Sequence, residues 1–198
     1  MDDADKRRIG EQLEPGGRPK APGRLELLQR FVNTHNHDFP EDWDRLGTAA
    51  KATAWLRAKG LLGAGERVPA DEAARLRELR EALRALIVAG DDGPDPAVIA
   101  TLEAAAGAAA LTIALDPGGR TSLAPAAGGA AGVAVTLLGI LHEAQLTGDW
   151  ERMKGCRRCE YAFYDRSKNR SAAWCAMSIC GNRTKNRTYY DRHRRAPA

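Results

Sequence analysis

The chain has 198 residues, 43% of them hydrophobic, and a formal net charge of +4. That length holds one domain of ordinary size plus a small module, and the apolar share supports a packed core, which excludes global disorder. The longest apolar stretch, "AAGVAVTLLGIL" at 130–141, is too short to span a bilayer, and the start "MDDADKRRIGEQLEPGG" has no signal-peptide run, so a cytoplasmic protein with no membrane partner is expected.

Residues 1–23, rich in Gly, Pro and charge without apolar periodicity, read as a flexible leader. Residues 24–147 read as a mostly helical domain. "LELLQRFVNT" sets Leu25, Leu28 and Val32 at helical spacing, and residues 48–59 form a second helix carrying Trp55 and Leu56 and closed by Gly60. Over 70–89, Leu76, Leu79, Leu83, Leu86 and Ile87 make one apolar stripe, with Arg and Glu on the rest, Asp71 at the start and Gly90 at the stop. Arg75 and Arg84 count here as polar-face residues of an acidic body, where charge reversal should matter little to a nucleic-acid partner. The intervening "GLLGAGERVP" is too long for a helix-turn-helix, so these are two packed core helices. After "DDGPDP" comes a helix near 96–108. "LTIAL" and "TSLAP" then flank "DPGGR" as a short β-hairpin, and "AAGGAAG" leads into a helix through about Leu146. "TGDW" at 147–150 reads as a hinge. "HNHD" at 35–38 reads first as a polar loop, with Asn33, His35 and His37 as weaker candidates for lining a ligand or metal pocket. No nucleophile, base and orienting group assemble, so a non-enzyme is expected.

The rest of the chain differs in charge and chemistry. Residues 1–150 hold 17 Lys/Arg and 22 Asp/Glu, whereas residues 151–198 hold 13 and 4. A basic end on a mildly acidic body suits a polyanionic partner, a solvated charged helix being the other reading. All four cysteines lie here, as Cys156-x2-Cys159-x15-Cys175-x4-Cys180. Four thiolates fit one tetrahedral Zn²⁺, and a closed site of four cysteines is structural. Metal binding of this kind supplies about 10–16 kcal/mol to a module too small to fold alone. Residues 160–175 are expected to form a hairpin, with "EYAFYDRS" and "RSAAWC" as strands turning through Lys168 and Asn169. Cys180 then opens a terminal helix, giving a knuckle, hairpin and helix like a treble clef over 151–195. Lys154, Arg157 and Arg158 can offset part of the centre's local charge of about −2. At about 100° per residue, Arg183, Arg187, Tyr190 and Arg194 share one face of the terminal helix, with Lys185 and Arg192 almost opposite. The candidate nucleic-acid contacts are Arg166, Lys168, Arg170, Asn182, Arg183, Lys185, Arg187 and Arg194, from residue types that bind phosphates or base edges.

"FYDRSKNRSAAWCAMSICGNRTKNRTYY" resembles the CGNR-type zinc finger found at the C-terminus of bacterial proteins assigned to stress-responsive transcription regulation. The matching residues are Phe163, Asp165, Ser167, Asn169, Trp174, Cys175, Met177, Cys180-Gly181-Asn182-Arg183 and Lys185. The body resembles the family's N-terminal ABATE domain through "FVNT" at 31–34, "WLRAKGLL" at 55–62 and "RELREALRALI" at 77–87. Ala172 and Ala173 stand where relatives often carry basic residues, and the first cysteine pair is more closely spaced than is common there. The resemblance implies a cytoplasmic regulator whose finger binds double-stranded DNA, with a body for a small-molecule effector or homodimerisation. The fold expected is mainly α with a small β-hairpin in the N-terminal domain and a C-terminal treble-clef-like finger. The rivals are an RNA-binding protein stacking bases on Tyr161, Phe163 and Tyr164, and a protein-interaction module stapled by zinc.

Overall fold

The structure is a computed structural model and describes residues 17–187. Five helices build the body: α1 Leu25–Val32, α2 Ala49–Ala58, α3 Ala70–Ala89, α4 Pro96–Ala106 and α5 Gly129–Thr147. Between α4 and α5, β1 Leu111–Leu115 pairs antiparallel with β2 Thr121–Pro125, Ile113 opposite Leu123. Local chemistry sets the boundaries. The Thr48 hydroxyl accepts from Lys51 N at the start of α2. Asp95 accepts from Ala97 N with Pro96 in the first turn of α4.

The core forms where α1, α3 and α5 meet. Leu28, Phe31 and Val32 pack with Leu76, Leu79 and Leu83 and with Leu137 and Ile140, all essentially without exposure. α5 is 19 residues long with a mean hydropathy of 1.3, long and apolar enough to cross a bilayer, which the 12-residue estimate from sequence undercounted. Its packing against α1, α4 and the hairpin makes it the central helix of this core.

One face of α3 departs from expectation. Arg80 and Arg84 are only 3% and 2% exposed. Arg80 Nη1 donates to Asp44 Oδ1 at 2.6 Å, and Arg84 Nη2 donates to Val32 O at 2.6 Å and His35 O at 2.7 Å. The segment following α1 wraps this side of α3, so its arginines meet carbonyls and a carboxylate instead of water. Arg84 is therefore a buried link, whereas Arg75 is exposed and, among the described residues, pairs with Asp71.

Beyond α5, β3 Met153–Gly155 pairs with β4 Ala162–Tyr164, with Lys154 opposite Phe163. The fold is thus mainly α with two small antiparallel strand pairs, the second belonging to the C-terminal finger. The pairing differs from the hairpin expected within 160–175, because β4 takes the strand before the knuckle as its partner. The buried Asp165 carboxylate accepts from Ser167 N at 2.8 Å and Ala172 N at 2.9 Å, closing 165–172 as a loop with no second strand. Arg170 within it has φ +49°. Met153, Ala162 and Tyr164 share the core of the helical body. At the crossing point Gly155 lies against α3, where a Cβ would come 3.2 Å from the Val88 Cα.

Candidate metal centre and nucleic-acid interface

The cysteines are brought together by backbone bonds the local sequence can make. Tyr161 O accepts from Cys156 N at 3.0 Å and Cys156 O accepts from Glu160 N at 2.8 Å, folding 156–161 into a tight knuckle. Arg157 N donates to Ala173 O at 3.1 Å, laying the strand-less segment 171–175 beside the knuckle. Cys180 follows in a widened helical turn, Met177–Gly181, that runs straight into a helix, α6, over 182–187.

All four thiols are buried, none more than 5% exposed. Sγ–Sγ separations are 3.8 Å for Cys159–Cys175, 3.6 Å for Cys175–Cys180 and 3.6 Å for Cys180–Cys159. Sulfurs at the corners of a tetrahedron with Zn–S bonds of about 2.3 Å lie roughly 3.8 Å apart, so the donor set fits one zinc ion. Hydrogen bonds from Cys159, then Cys175, hold the Cys156 thiol far below the usual thiol range despite its burial. Cys159, donating to Cys156, is pushed up to about 12. A dication held by the four sulfurs would take the place of their protons.

The supports around the sulfurs come from distant segments. Arg158 Nη1 lies 3.7 Å from Cys180 Sγ and pairs with Asp38 at 2.7 Å. Arg18 donates to Cys175 O at 2.7 Å and Trp174 O at 3.0 Å, its guanidinium lying over the Phe163 ring.

A family model described as a CGNR zinc finger matches residues 152–193, and the ABATE model, described as "Putative stress-induced transcription regulator", matches residues 25–141. The chain belongs to the ABATE family. No curated protein matches it. The ABATE match covers α1 to most of α5, and the CGNR match takes in all four cysteines. The finger of this ABATE protein is able to bind one Zn²⁺ through Cys156, Cys159, Cys175 and Cys180.

The structure divides the candidate nucleic-acid residues of this ABATE protein. Asn182, Arg183, Lys185 and Arg187 are exposed on α6, and the three cations have no ion-pair partner among the described residues. Lys168 is exposed on the 165–172 loop. Arg166 is engaged with Lys20 O at 3.1 Å and the Tyr164 ring, and Arg170 pairs with Glu151. Tyr190, Arg192 and Arg194 lie outside the described residues. Tyr161, Phe163 and Tyr164 are at most 7% exposed, packed inside instead of offering rings to bases.

Asn33 pairs at both ends of its amide with Ala162, donating to its O at 2.8 Å and accepting from its N at 2.9 Å, which pins β4 to α1. His35 and His37 stand together, ring centroids 5.6 Å apart. Sequence reasoning missed Arg18, Arg80 and Arg84 as supports. A signal existed for two of them: at about 100° per residue, Arg80 falls about 40° from Leu76 and Arg84 about 80°, both at the flank of the apolar stripe.

Proposed function

We propose that this chain is a cytoplasmic DNA-binding transcription regulator, a binding protein and not an enzyme, whose zinc centre fixes α6 for contact with duplex DNA. The observation that carries the reading is the join between metal and helix. Cys180 is a ligand, Gly181 is tightly enclosed, and Asn182 opens α6. Gly181 is buried, and a Cβ there would meet the movable Met177 side chain and sit 3.2 Å from Trp174 Cδ1, so the turn is packed against the Trp174 ring. Zinc therefore sets where the helix begins and which way Arg183 and Arg187 project. Exposed cations without ion-pair partners among the described residues suit phosphate contacts, and a neighbouring Asn adds a donor for phosphate or base edge. The burial of the three aromatic rings favours duplex DNA over single-stranded RNA, which is bound largely by stacking. A groove of about 550 Å³ between α3, α4 and α5, walled by Leu76, Leu79 and several alanines, offers the body a place for an apolar effector.

The test is anisotropy with zinc-loaded protein and a random duplex pool across salt concentrations. Lys168, Arg183, Lys185 and Arg187 engaging phosphates would give a slope of log affinity against log salt of about −3.6. Converting both Arg183 and Arg187 to Glu should remove most binding with zinc content unchanged, and Arg75→Glu should change little. A slope near zero, or equal losses from both changes, would overturn the reading.

A further inference from the structure

Outside the cysteine centre, a second set of donors converges where the finger meets the body. The segment after α1 carries His35 and His37, α3 presents Glu81, and one ligand atom from each lies within 4.8 Å of the others. His37 Nε2 is 3.3 Å from Glu81 Oε2, and His37 Nδ1 is 3.4 Å from Glu160 Oε2. Nitrogen and oxygen ligands at about 2.0–2.1 Å from a tetrahedral ion stand about 3.3–3.4 Å apart, a spacing the His37 Nε2–Glu81 pair meets, while Glu160 on the opposite ring nitrogen orients the imidazole.

The surroundings fit the same chemistry. His35 Nε2 is buried with no hydrogen-bond partner, the one such side-chain atom among the described residues. The residue's backbone is fixed by the Arg84 bond to His35 O, and the Glu81 carboxylate is oriented by Arg80 at 2.7 Å and Arg84 at 3.0 Å. Asp44, Glu81 and Glu160 outnumber these two guanidiniums, leaving room for added positive charge.

We propose that His35, His37 and Glu81 form a second site for a divalent transition-metal ion of the zinc class, with Glu160 on the other ring nitrogen of His37 as an orienting partner. Imidazole and carboxylate donors select such ions over Mg²⁺ or Ca²⁺, which take oxygen shells. Glu160 directly follows Cys159, so an ion on His37 and Glu81 ties the finger's knuckle to α3 of the body through the Glu160–His37 pair. The site has no thiolate, and the His37 and Glu81 side chains are 50% and 40% exposed. It therefore fills after the cysteine centre and empties before it. The inference stands apart from DNA binding and has its own readout.

The experiment titrates Zn²⁺ into full-length protein already carrying one equivalent, following heat and counting bound metal by equilibrium dialysis. A second, weaker equivalent is expected. His37→Ala, a change at a half-exposed side chain that does not threaten the core, should weaken it about 10- to 100-fold with the first equivalent intact. His142→Ala should leave it unchanged. Ni²⁺ added to the zinc-loaded protein should broaden the ring-proton signals of His35 and His37 before those of His142. Stoichiometry fixed at one into the millimolar range, a second equivalent that persists in His37→Ala, or equal broadening of these three histidines would overturn the proposal.

Discussion

Replacing Arg84 with Met tests whether the body and finger are held by a buried guanidinium. The side chain is 2% exposed, and its stem can be mimicked by Met, so the loss falls on the head group. Three carbonyls lose a charged donor: Val32 O at 2.6 Å, His35 O at 2.7 Å and Glu160 O at 3.2 Å. Hydrogen bonds involving a charged group contribute about 1.5–3 kcal/mol each. The Val32 site is buried and keeps the full penalty, while the other two are partly open and admit water. Glu81 retains Arg80 as a partner, so it is not left bare. The expected net loss is about 3–5 kcal/mol, a large part of the 5–15 kcal/mol typical of a domain. Urea unfolding with zinc saturating measures it, with Arg75→Met as control. Arg75 is 72% exposed and should stay within about 0.5 kcal/mol of the parent. A loss below about 1 kcal/mol for Arg84→Met would refute the account.

Gly155→Ala should press a Cβ to 2.5 Å from Val88 Cγ2 and 3.2 Å from the Val88 backbone, costing about 1–3 kcal/mol and raising amide exchange in β3 and β4. Gly107→Ala, meeting only atoms at 3.6 Å or beyond, should be neutral or slightly stabilising in urea unfolding. Burial raises the Asp44 pKa, but hydrogen bonds from Arg80 and Leu46 N outweigh it and leave the carboxyl below its ordinary value. A lowered folded pKa contributes stability that is fully present above the unfolded value, about 3.9, and is lost as pH falls through the folded one. Asp44→Asn should therefore be less stable at neutral pH, by about 3 kcal/mol, yet show a shallower loss below pH ~4 in acid titrations of stability.

The helices of the body were legible because their signals are local. The Leu76–Ile87 stripe, Asp95-Pro96 and Gly90 act within a few residues of where they are read. The cysteine set was legible for the same reason, all four thiols lying within 25 residues. What escaped is what depends on a remote partner. Arg80 and Arg84 looked like solvent-facing charge because Asp44 and Glu160, which receive them, lie 36 and 76 residues away. The strand pairing of the finger escaped because "MKG" is too short to alternate, and only the capture of Asp165 by Ser167 and Ala172 rules out the other partner. His35 and His37 were singled out in sequence, but Glu81, across a loop and a helix, could not be joined to them by spacing.

Arg18 reaches 157 residues along the chain to bond the carbonyl of Cys175. Closing a loop of that length carries an entropy cost that accrues before the contact forms, so such contacts come late in folding. The sulfurs can find one another early, within a single short segment, but the clasp on Cys175 waits until the body has condensed around Ala162 and α1. On that order, metal capture and metal retention are expected to be separable in time. A finger whose body is incomplete should exchange its ion faster than the finished fold, so the residence time of zinc would read the completeness of the body.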